Sequence, residues 1–428
     1  VPVSPLPHQY AAIAHNLALL SSGRRTSLEG SDPGVGKTYI AAFVFKQLGI
    51  RPGILCPKTI ISQWREALAA VGVEPLFVTN YEQAKLPKFQ QGRWKVKGRV
   101  YEWGSGVAGL VFDECHRCKE RTTQNAKLMM AARRQGIPTL AMSATAAQDP
   151  LDLYALGYLL GLHNGVDFMS FAFAHGVVRG RFAFEFHGGK PALDKLHDLI
   201  FPSRGNRTRY ADIPGFPEEH TEAVSLDCGA AGEAVTRELA EIYNRIREIE
   251  AEKGQATEAI TLRLRARQVA ELAKVPAMVE LIRDLVAEGM SVPVFVNFHD
   301  SLNALSACFK DAPKIVGGQS EAERSQAIAD FQANRKPVIL CQAEAGGTGV
   351  SLHDLHGRPR CSVISTPESA RTLVQILGRN RRAGQKSPAF RKLVFAAGTI
   401  EEKVRKACEK KVKQIEQIND GDLDPISK

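Results

Sequence analysis

The chain has 428 residues, a formal net charge of +10, 44% hydrophobic residues and 24% charged ones. That length accommodates two or three domains, and the balance is that of a globular protein, which excludes disordered and fibrous classes. No apolar run is long enough to span a membrane and no signal peptide is expected; the eight cysteines are scattered as reduced thiols would be, and the excess of base makes an acidic polymer a candidate partner.

Residues 1–145 alternate strand-like apolar runs with helical stretches, as at Gly53–Pro57, Pro75–Thr79 and Thr139–Ser143, and predict a parallel sheet with helices on both faces. Early in this stretch stands Gly30-Ser31-Asp32-Pro33-Gly34-Val35-Gly36-Lys37-Thr38, between a short apolar run and a helical one that begins at Tyr39. Glycines let backbone N–H groups turn inward around phosphate oxygens, and the following helix adds its positive end. Lys37 would reach the β- and γ-phosphates and Thr38 would hold magnesium, so Pro33 to Thr38 are candidate nucleotide-binding residues.

Gly109-Leu110-Val111-Phe112-Asp113-Glu114-Cys115-His116 predicts a buried parallel strand delivering two acids at its C-terminal end. Asp113 would coordinate magnesium through water, and Glu114 would orient or deprotonate the attacking water. Cys115 and Cys118 also form a Cys-x-x-Cys, but no second such pair exists, so a zinc or redox site is not expected. Between these motifs, Lys85–Trp103 interleaves bases and aromatics. Arg93 and Lys95 would contact phosphates and Trp94 or Trp103 would stack on a base; equally, the stretch reads as an amphipathic hairpin with both tryptophans packed inward.

Residues 150–215 are helical and then rich in Phe and Gly, with a period-two pattern at Arg181–Phe186 that suggests a hairpin. Ile213–Pro217 reads as a linker. Residues 230–290 are helical and charged, with Arg263, Arg265 and Arg267 on a solvated face. A second α/β pattern begins at Val292 and recurs at Val338–Cys341, Ser362–Ser365 and Leu393–Phe395; a basic helix runs from Glu401 to Gly421, and 422–428 are expected to fray. The expected divisions are a first lobe at 1–215 with a helix and hairpin insertion near 150–200, a linker and helical protrusion at 216–290, a second lobe at 291–408 and a basic tail at 409–428. Only the first lobe carries a phosphate loop. In the second, Gln375–Gln385 has the form Gln-x-x-Gly-Arg-x-x-Arg, with Arg379 and Arg382 one helical turn apart. They would neutralise γ-phosphate charge at the first lobe's site, as arginine fingers do, or form a basic helix face. A glycine turn, Glu344–Leu352, lies upstream.

The ordered set Leu6–Tyr10, Gly34–Thr38, Ile54–Trp64, Asn80–Glu82, Asp113–His116, Ser143–Thr145, Gly318–Phe331, Ala345–Leu352 and Gln375–Gln385 resembles a superfamily 2 helicase-like ATPase. Cys56-Pro57-Lys58 with Gln63-Trp64, Ala345–Gly349, Arg382–Gln385 and Gly398–Lys403 resemble its Swi/Snf-type branch, Arg207-Thr208-Arg209 resembles that branch's inter-lobe segment, and Ala273–Pro276 is similar to its annealing-helicase subgroup. Departures are Cys115 in place of the usual Ala, Thr366-Pro367-Glu368 in place of an acidic and aromatic pair, and an inserted His356–Arg360. No chromatin-reading module is present, and the compact chain is similar to bacterial or viral members. The resemblance implies an α/β fold of two RecA-like parallel-sheet lobes in tandem with a helical protrusion between them, and ATP and Mg2+ as cofactors. It implies that Gln9 reads adenine, that Gly347 adjoins the nucleotide, and that Arg324, Thr348 and Gln375 touch nucleic acid or couple it to ATP. Ser143 and Thr145 would link hydrolysis to lobe movement. The expected function is a monomeric ATP-driven motor on DNA, duplex or branched, with single-stranded DNA or RNA as other substrates, working in a bacterial or infected-host cytoplasm. The alternatives are a strand-separating DNA or RNA helicase and a nucleic-acid sensor or scaffold with weak ATPase.

Overall fold

The computed structural model describes residues 3–95, 99–180, 183–227, 232–251, 256–347, 349–397 and 399–420. Thr348 lies outside the described residues, as do Lys97, Arg181, Phe182, Gly398 and the end expected to fray. The chain separates into two compact units, Val1–Phe216 with Lys411–Lys428, and Pro217–Lys410.

The first unit contains β1 (Thr26–Glu29), β2 (Gly53–Cys56), β3 (Phe77–Asn80), β4 (Gly92–Lys95), β5 (Val100–Trp103), β6 (Leu110–Asp113), β7 (Thr139–Met142), β8 (Val177–Arg179), β9 (Phe184–Phe186) and β10 (Gly205–Asn206). Six of them form a parallel sheet in the order β10-β1-β7-β6-β2-β3. β1, β2, β6 and β7 are buried along their whole length, as a sheet covered on both faces requires. Glycines 49 and 72 end the helices Lys37–Leu48 and Ile61–Val71 in the left-handed conformation, which returns the chain to the next strand. Every strand of the sheet therefore points its C-terminal end the same way, and the motif loops collect there. The pairs β4–β5 and β8–β9 are separate antiparallel hairpins.

The second unit contains β11 (Glu219–Leu226), β12 (Val292–Val296), β13 (Lys314–Ile315), β14 (Val338–Gln342), β15 (Arg360–Ser365) and β16 (Ala389–Ala396), in the parallel order β11-β16-β15-β12-β14-β13. These are the two expected RecA-like lobes. The region 216–290, read from the sequence as linker and protrusion, begins instead with a sheet strand: β11 pairs with β16 over eight residues. The protrusion comes next, as the helices Gly232–Ala251 and Ala256–Ala273, packed through Leu239, Ile242, Ile246 and Ala266. Arg265 pairs with Glu238 on its face, but Arg267 is not solvated: only 11% of its side chain is exposed, and it bonds Glu368 over the ring of Phe298.

Candidate nucleotide site and nucleic-acid surface

The loop after β1 reaches the helix Lys37–Leu48 through Gly34 and Gly36, at φ of 82° and 89°. A side chain at Gly36 would be strained by that backbone and would meet Gln9 Nε2 at 2.3 Å. Gln9 is buried against the loop: Nε2 donates to the Val35 carbonyl (3.0 Å), while Oε1 accepts from Leu6 N (2.9 Å). Half-buried Lys37 donates through Nζ to the carbonyls of Ser31 (2.7 Å) and Asp32 (2.9 Å). Burial pushes its proton affinity down, against the pull of Glu114, Glu29, Asp32 and Asp113. Thr38 is the second residue of the helix and is half-buried.

Both acids of the second motif stand at the end of β6. Asp113 is buried; its Oδ2 accepts from Trp64 Nε1 (2.8 Å), its Oδ1 from Glu114 N (2.9 Å), and its carbonyl from the Tyr81 hydroxyl (2.7 Å). Burial, then the neighbouring Glu114 charge, raises its proton affinity. Glu114 adopts φ 52°, ψ 52°, a left-handed conformation that costs a non-glycine residue free energy and is stored where a side chain must be aimed. Ser143, after β7, donates to Glu114 Oε2 (3.4 Å), lies 3.2 Å from His116 Nδ1 and accepts from Thr145 N (3.1 Å). Ser143 thus contacts the acidic motif within one lobe, and Thr145 is bonded to Ser143. The chemistry of Asp113 and Thr38, a carboxylate and a hydroxyl, fits a hard oxygen-seeking ion such as magnesium. Cys115 and Cys118 are buried in the turn after Glu114, and burial pushes the Cys118 thiol up, away from thiolate.

Several supporting residues are not evident from motifs. Trp64 is visible in the sequence only as part of a resemblance. Fully buried Glu29 accepts from Asn16 Nδ2 (2.6 Å), Asn206 Nδ2 (3.0 Å) and Ser31 N (3.2 Å), and burial raises its proton affinity. No motif in the sequence marks it: it closes the short strand Thr26-Ser27-Leu28-Glu29 just before the glycine loop.

The hairpin β4–β5 settles the place of Trp103, one of the residues that the sequence left open. Trp103 is 1% exposed, and the Gln135 side-chain amide bonds its N–H and its carbonyl at 2.8 Å each; it is core and is not presented to a base. Trp94 packs edge-on against Tyr101 (5.0 Å) and donates to the Lys85 carbonyl (2.9 Å). Arg93 and Lys95 stay exposed but both bind Glu102 (3.3 and 2.5 Å). A pocket of about 330 Å³ opens instead at the C-terminal ends of β2 and β3, lined by Lys58, Asn80, Tyr81, Glu82, Gln83 and Arg117 among others.

In the second unit, Arg379 Nε bonds the Gln375 carbonyl (2.8 Å), and Arg379 and Arg382 each donate to the Val350 carbonyl at 3.2 Å. Arg381 faces elsewhere, bonding Glu219 (3.0 Å) and the Pro217 carbonyl (2.9 Å). Gly347 adjoins the helix that bears Gln375, and its neighbour Gly346 is pressed against Phe295. Arg324, expected as a nucleic-acid contact, is 8% exposed and donates to the Ala345 carbonyl (2.7 Å); it braces the helix Glu321–Gln332 against the glycine turn.

Residues 273–384 match the helicase conserved C-terminal domain. A protein of Acanthamoeba polyphaga mimivirus, provisionally named an ATP-dependent RNA helicase, is 34% identical over 93% of this chain and 80% of its own length. The Drosophila melanogaster SWI/SNF-related matrix-associated actin-dependent regulator of chromatin subfamily A-like protein 1 is 27% identical over 68% of this chain and 39% of its own. An uncharacterised ATP-dependent helicase of Bacillus subtilis is 21% identical over 99% of this chain and 81% of its own.

Proposed function

The chain belongs to the superfamily 2 helicase-like ATPases, in their Swi/Snf-type branch, and from that membership as a nucleic-acid-dependent ATPase we propose that it is an ATP-driven motor that translocates along duplex or branched DNA. The observation that carries this reading is the gathering of Lys37, Asp113, Glu114 and Ser143 at one end of the first sheet, around a glycine loop whose own carbonyls hold Lys37. Lys37 exchanges those carbonyls for β- and γ-phosphate oxygens. Thr38 and Asp113 would hold Mg2+, and its charge would keep the buried acid ionised and offset negative charge on the phosphoryl oxygens. Glu114 positions or deprotonates the water, and Arg379 and Arg382 stabilise charge that develops in the transition state. Gln9, packed on the loop, borders the adenine, and Gly347 belongs to the nucleotide-facing turn. Magnesium and these roles are part of the proposal.

Lys58 and Arg117, in a pocket at the sheet's ligand-binding end, support a phosphate-backbone contact there, and exposed Arg93 and Lys95 add charge on the hairpin. Such contacts give affinity that falls with salt and little base preference. No described helix is long and apolar enough to cross a membrane, and the viral relative supports a place of action in an infected-host cytoplasm. A second reading, a strand-separating RNA helicase, is favoured by the name of that relative. ATPase rates with duplex DNA, single-stranded DNA, forked DNA, single-stranded RNA and duplex RNA, paired with strand-displacement and triplex-displacement assays, separate the two. Strong stimulation by duplex DNA with triplex displacement is expected. Stimulation by RNA alone, with duplex unwinding, overturns the DNA translocase.

A further inference from the structure

The phosphate loop is clasped by a segment from far along the chain. β10 runs beside β1, and the pairing continues past both strands: Gly30 N donates to the Asn206 carbonyl (2.9 Å), Asp32 N to the Thr208 carbonyl (3.0 Å), and Thr208 N to Ser31 Oγ (2.9 Å). Two side chains then close over the loop. Arg207 Nη2 lies 2.7 Å from Asp32 Oδ1 and its Nη1 donates to the Gly30 carbonyl (2.6 Å). Tyr210 donates its N–H to Asp32 Oδ2 (2.7 Å) and its hydroxyl to the Pro33 carbonyl (2.6 Å). Only 10% of the Arg207 side chain and 15% of the Asp32 side chain are exposed.

Asp32 is a carboxylate in a loop that receives a polyanion. Left uncompensated at low exposure, its field would oppose every phosphate that enters, and water would screen it poorly. A guanidinium fixed by a second bond to the loop's own backbone is a rigid counter-charge that a solvated lysine could not supply. We propose that Arg207 is a positioning residue for the nucleotide, neutralising Asp32 so that the loop Gly34–Thr38 accepts a triphosphate. This rests on reading that loop as the ATP site.

A clasp that merely shapes the loop and a clasp that cancels charge respond differently to removal of the carboxylate. Binding of Mg·ADP and of a magnesium-bound non-hydrolysable ATP analogue is measured by titration calorimetry, with steady-state ATPase alongside. Arg207→Ala is expected to weaken binding of the ATP analogue about 30-fold or more, the usual cost of stranding one member of a covered charge pair, and to weaken ADP binding less. KM for ATP rises by a similar factor while kcat changes little. Asp32→Asn/Arg207→Ala recovers most of the affinity, because the amide oxygen still accepts from Tyr210 N and the repelling charge is gone. Arg207→Lys falls between. If Arg207→Ala fails to fold, Asp32→Asn alone decides: it leaves an uncompensated cation and should bind the ATP analogue at least as tightly as the wild type. A double variant no better than Arg207→Ala, equal losses for ADP and ATP, or weaker binding by Asp32→Asn overturns the proposal in favour of a purely architectural clasp. Wild-type protein that binds neither nucleotide, or whose binding survives Lys37→Ala intact, overturns the ATP-site reading itself.

Discussion

The two lobes share a framework and differ in the loops that leave their strands. Each has six parallel strands, and each draws an edge strand from the same stretch of chain, β10 at residues 205–206 for the first and β11 at 219–226 for the second. In the first lobe, β1 runs into glycines at positive φ and a lysine, and β6 ends in buried Asp113 beside Glu114. In the second, β14 runs into the short helical turn Ala343–Gly346, and the charges gathered nearby are the guanidinium groups of Arg379 and Arg382 on the Val350 carbonyl. One lobe gathers carboxylates around Lys37; the other gathers two guanidinium groups on a neutral carbonyl. Fold alone assigns neither role. The loops beyond the strand ends do.

The strongest way to break this comparison is to remove the first lobe's cation. Lys37→Ala should abolish ATP turnover, measured by phosphate release in protein free of contaminating ATPase, while the fold persists, because the half-buried amine bonds only loop carbonyls. Rates near wild type would deny the first lobe its assigned chemistry. Next in size are the second lobe's arginines. Under the proposed function, in which they act on transition-state charge, Arg379→Ala and Arg382→Ala should each lower kcat about 10³-fold with little change in ATP affinity. Arg381→Ala is the matched control. It should leave kcat within a few-fold and lower thermal stability instead, because Arg381 holds Glu219 on the edge strand. Equal kcat losses in all three variants would show that the cluster acts only as a structural unit.

Legibility in the sequence divides along the same line between local and distant partners. The glycine loop, the apolar run ending in Asp113-Glu114 and the Gln375–Gln385 motif were legible because each depends on neighbours in the chain: positive φ needs glycine, and a buried strand needs a continuous apolar run. β11 was not legible. Its sequence, Glu-His-Thr-Glu-Ala-Val-Ser-Leu, is polar because it is an edge strand, and its acids Glu219 and Glu222 are matched by Arg391 and Lys392 on β16, far away in sequence. The roles of Trp94 and Trp103 were open for another reason. An alternation of aromatic and basic residues satisfies a packed hairpin and a base-stacking platform equally, and for Trp103 it is the Gln135 amide, distant in the chain, that decides. Trp64 and Arg207 stand in segments marked by resemblance, but what they bond, Asp113 and Asp32, lies far away in the chain and no local pattern shows it; Glu29 likewise depends on Asn16 and Asn206.

Trp64 gives a smaller test that sharpens the first lobe's side. Its indole N–H bonds Asp113 Oδ2 and both groups are buried. Trp64→Phe keeps an aromatic ring but strands one carboxylate oxygen, a change worth about 1–3 kcal/mol. Urea unfolding should register that loss, and Mg·ATP should recover part of it if Asp113 is drawn toward the metal instead. A variant as stable as wild type would show that the bond is idle.

The smallest expected effect is a pH slope, and it takes opposite signs in the two lobes. His353 sits near Arg382 and Arg360; burial, then those two charges, lowers its proton affinity from 6.5 to about 4. Between those values the unfolded chain binds a proton that the folded lobe refuses. The stability of the neutral imidazole is therefore complete above pH 6.5 and is lost as pH falls toward 4. Asp113 runs the other way. Burial raises its affinity above 3.8, so without metal the folded state holds a proton that the unfolded chain releases, and stability falls as pH rises through that window. Urea midpoints at pH 5, 6 and 7.5, without nucleotide or divalent metal, should show His353→Gln gaining on the wild type toward low pH and Asp113→Asn gaining toward high pH. Parallel slopes for His353→Gln and the wild type would mean that the imidazole meets solvent freely and that the second lobe's cations do not reach it. Differences from wild type that run the same way with pH in both variants would undo the contrast between Asp113, which holds a proton on folding, and His353, which gives one up.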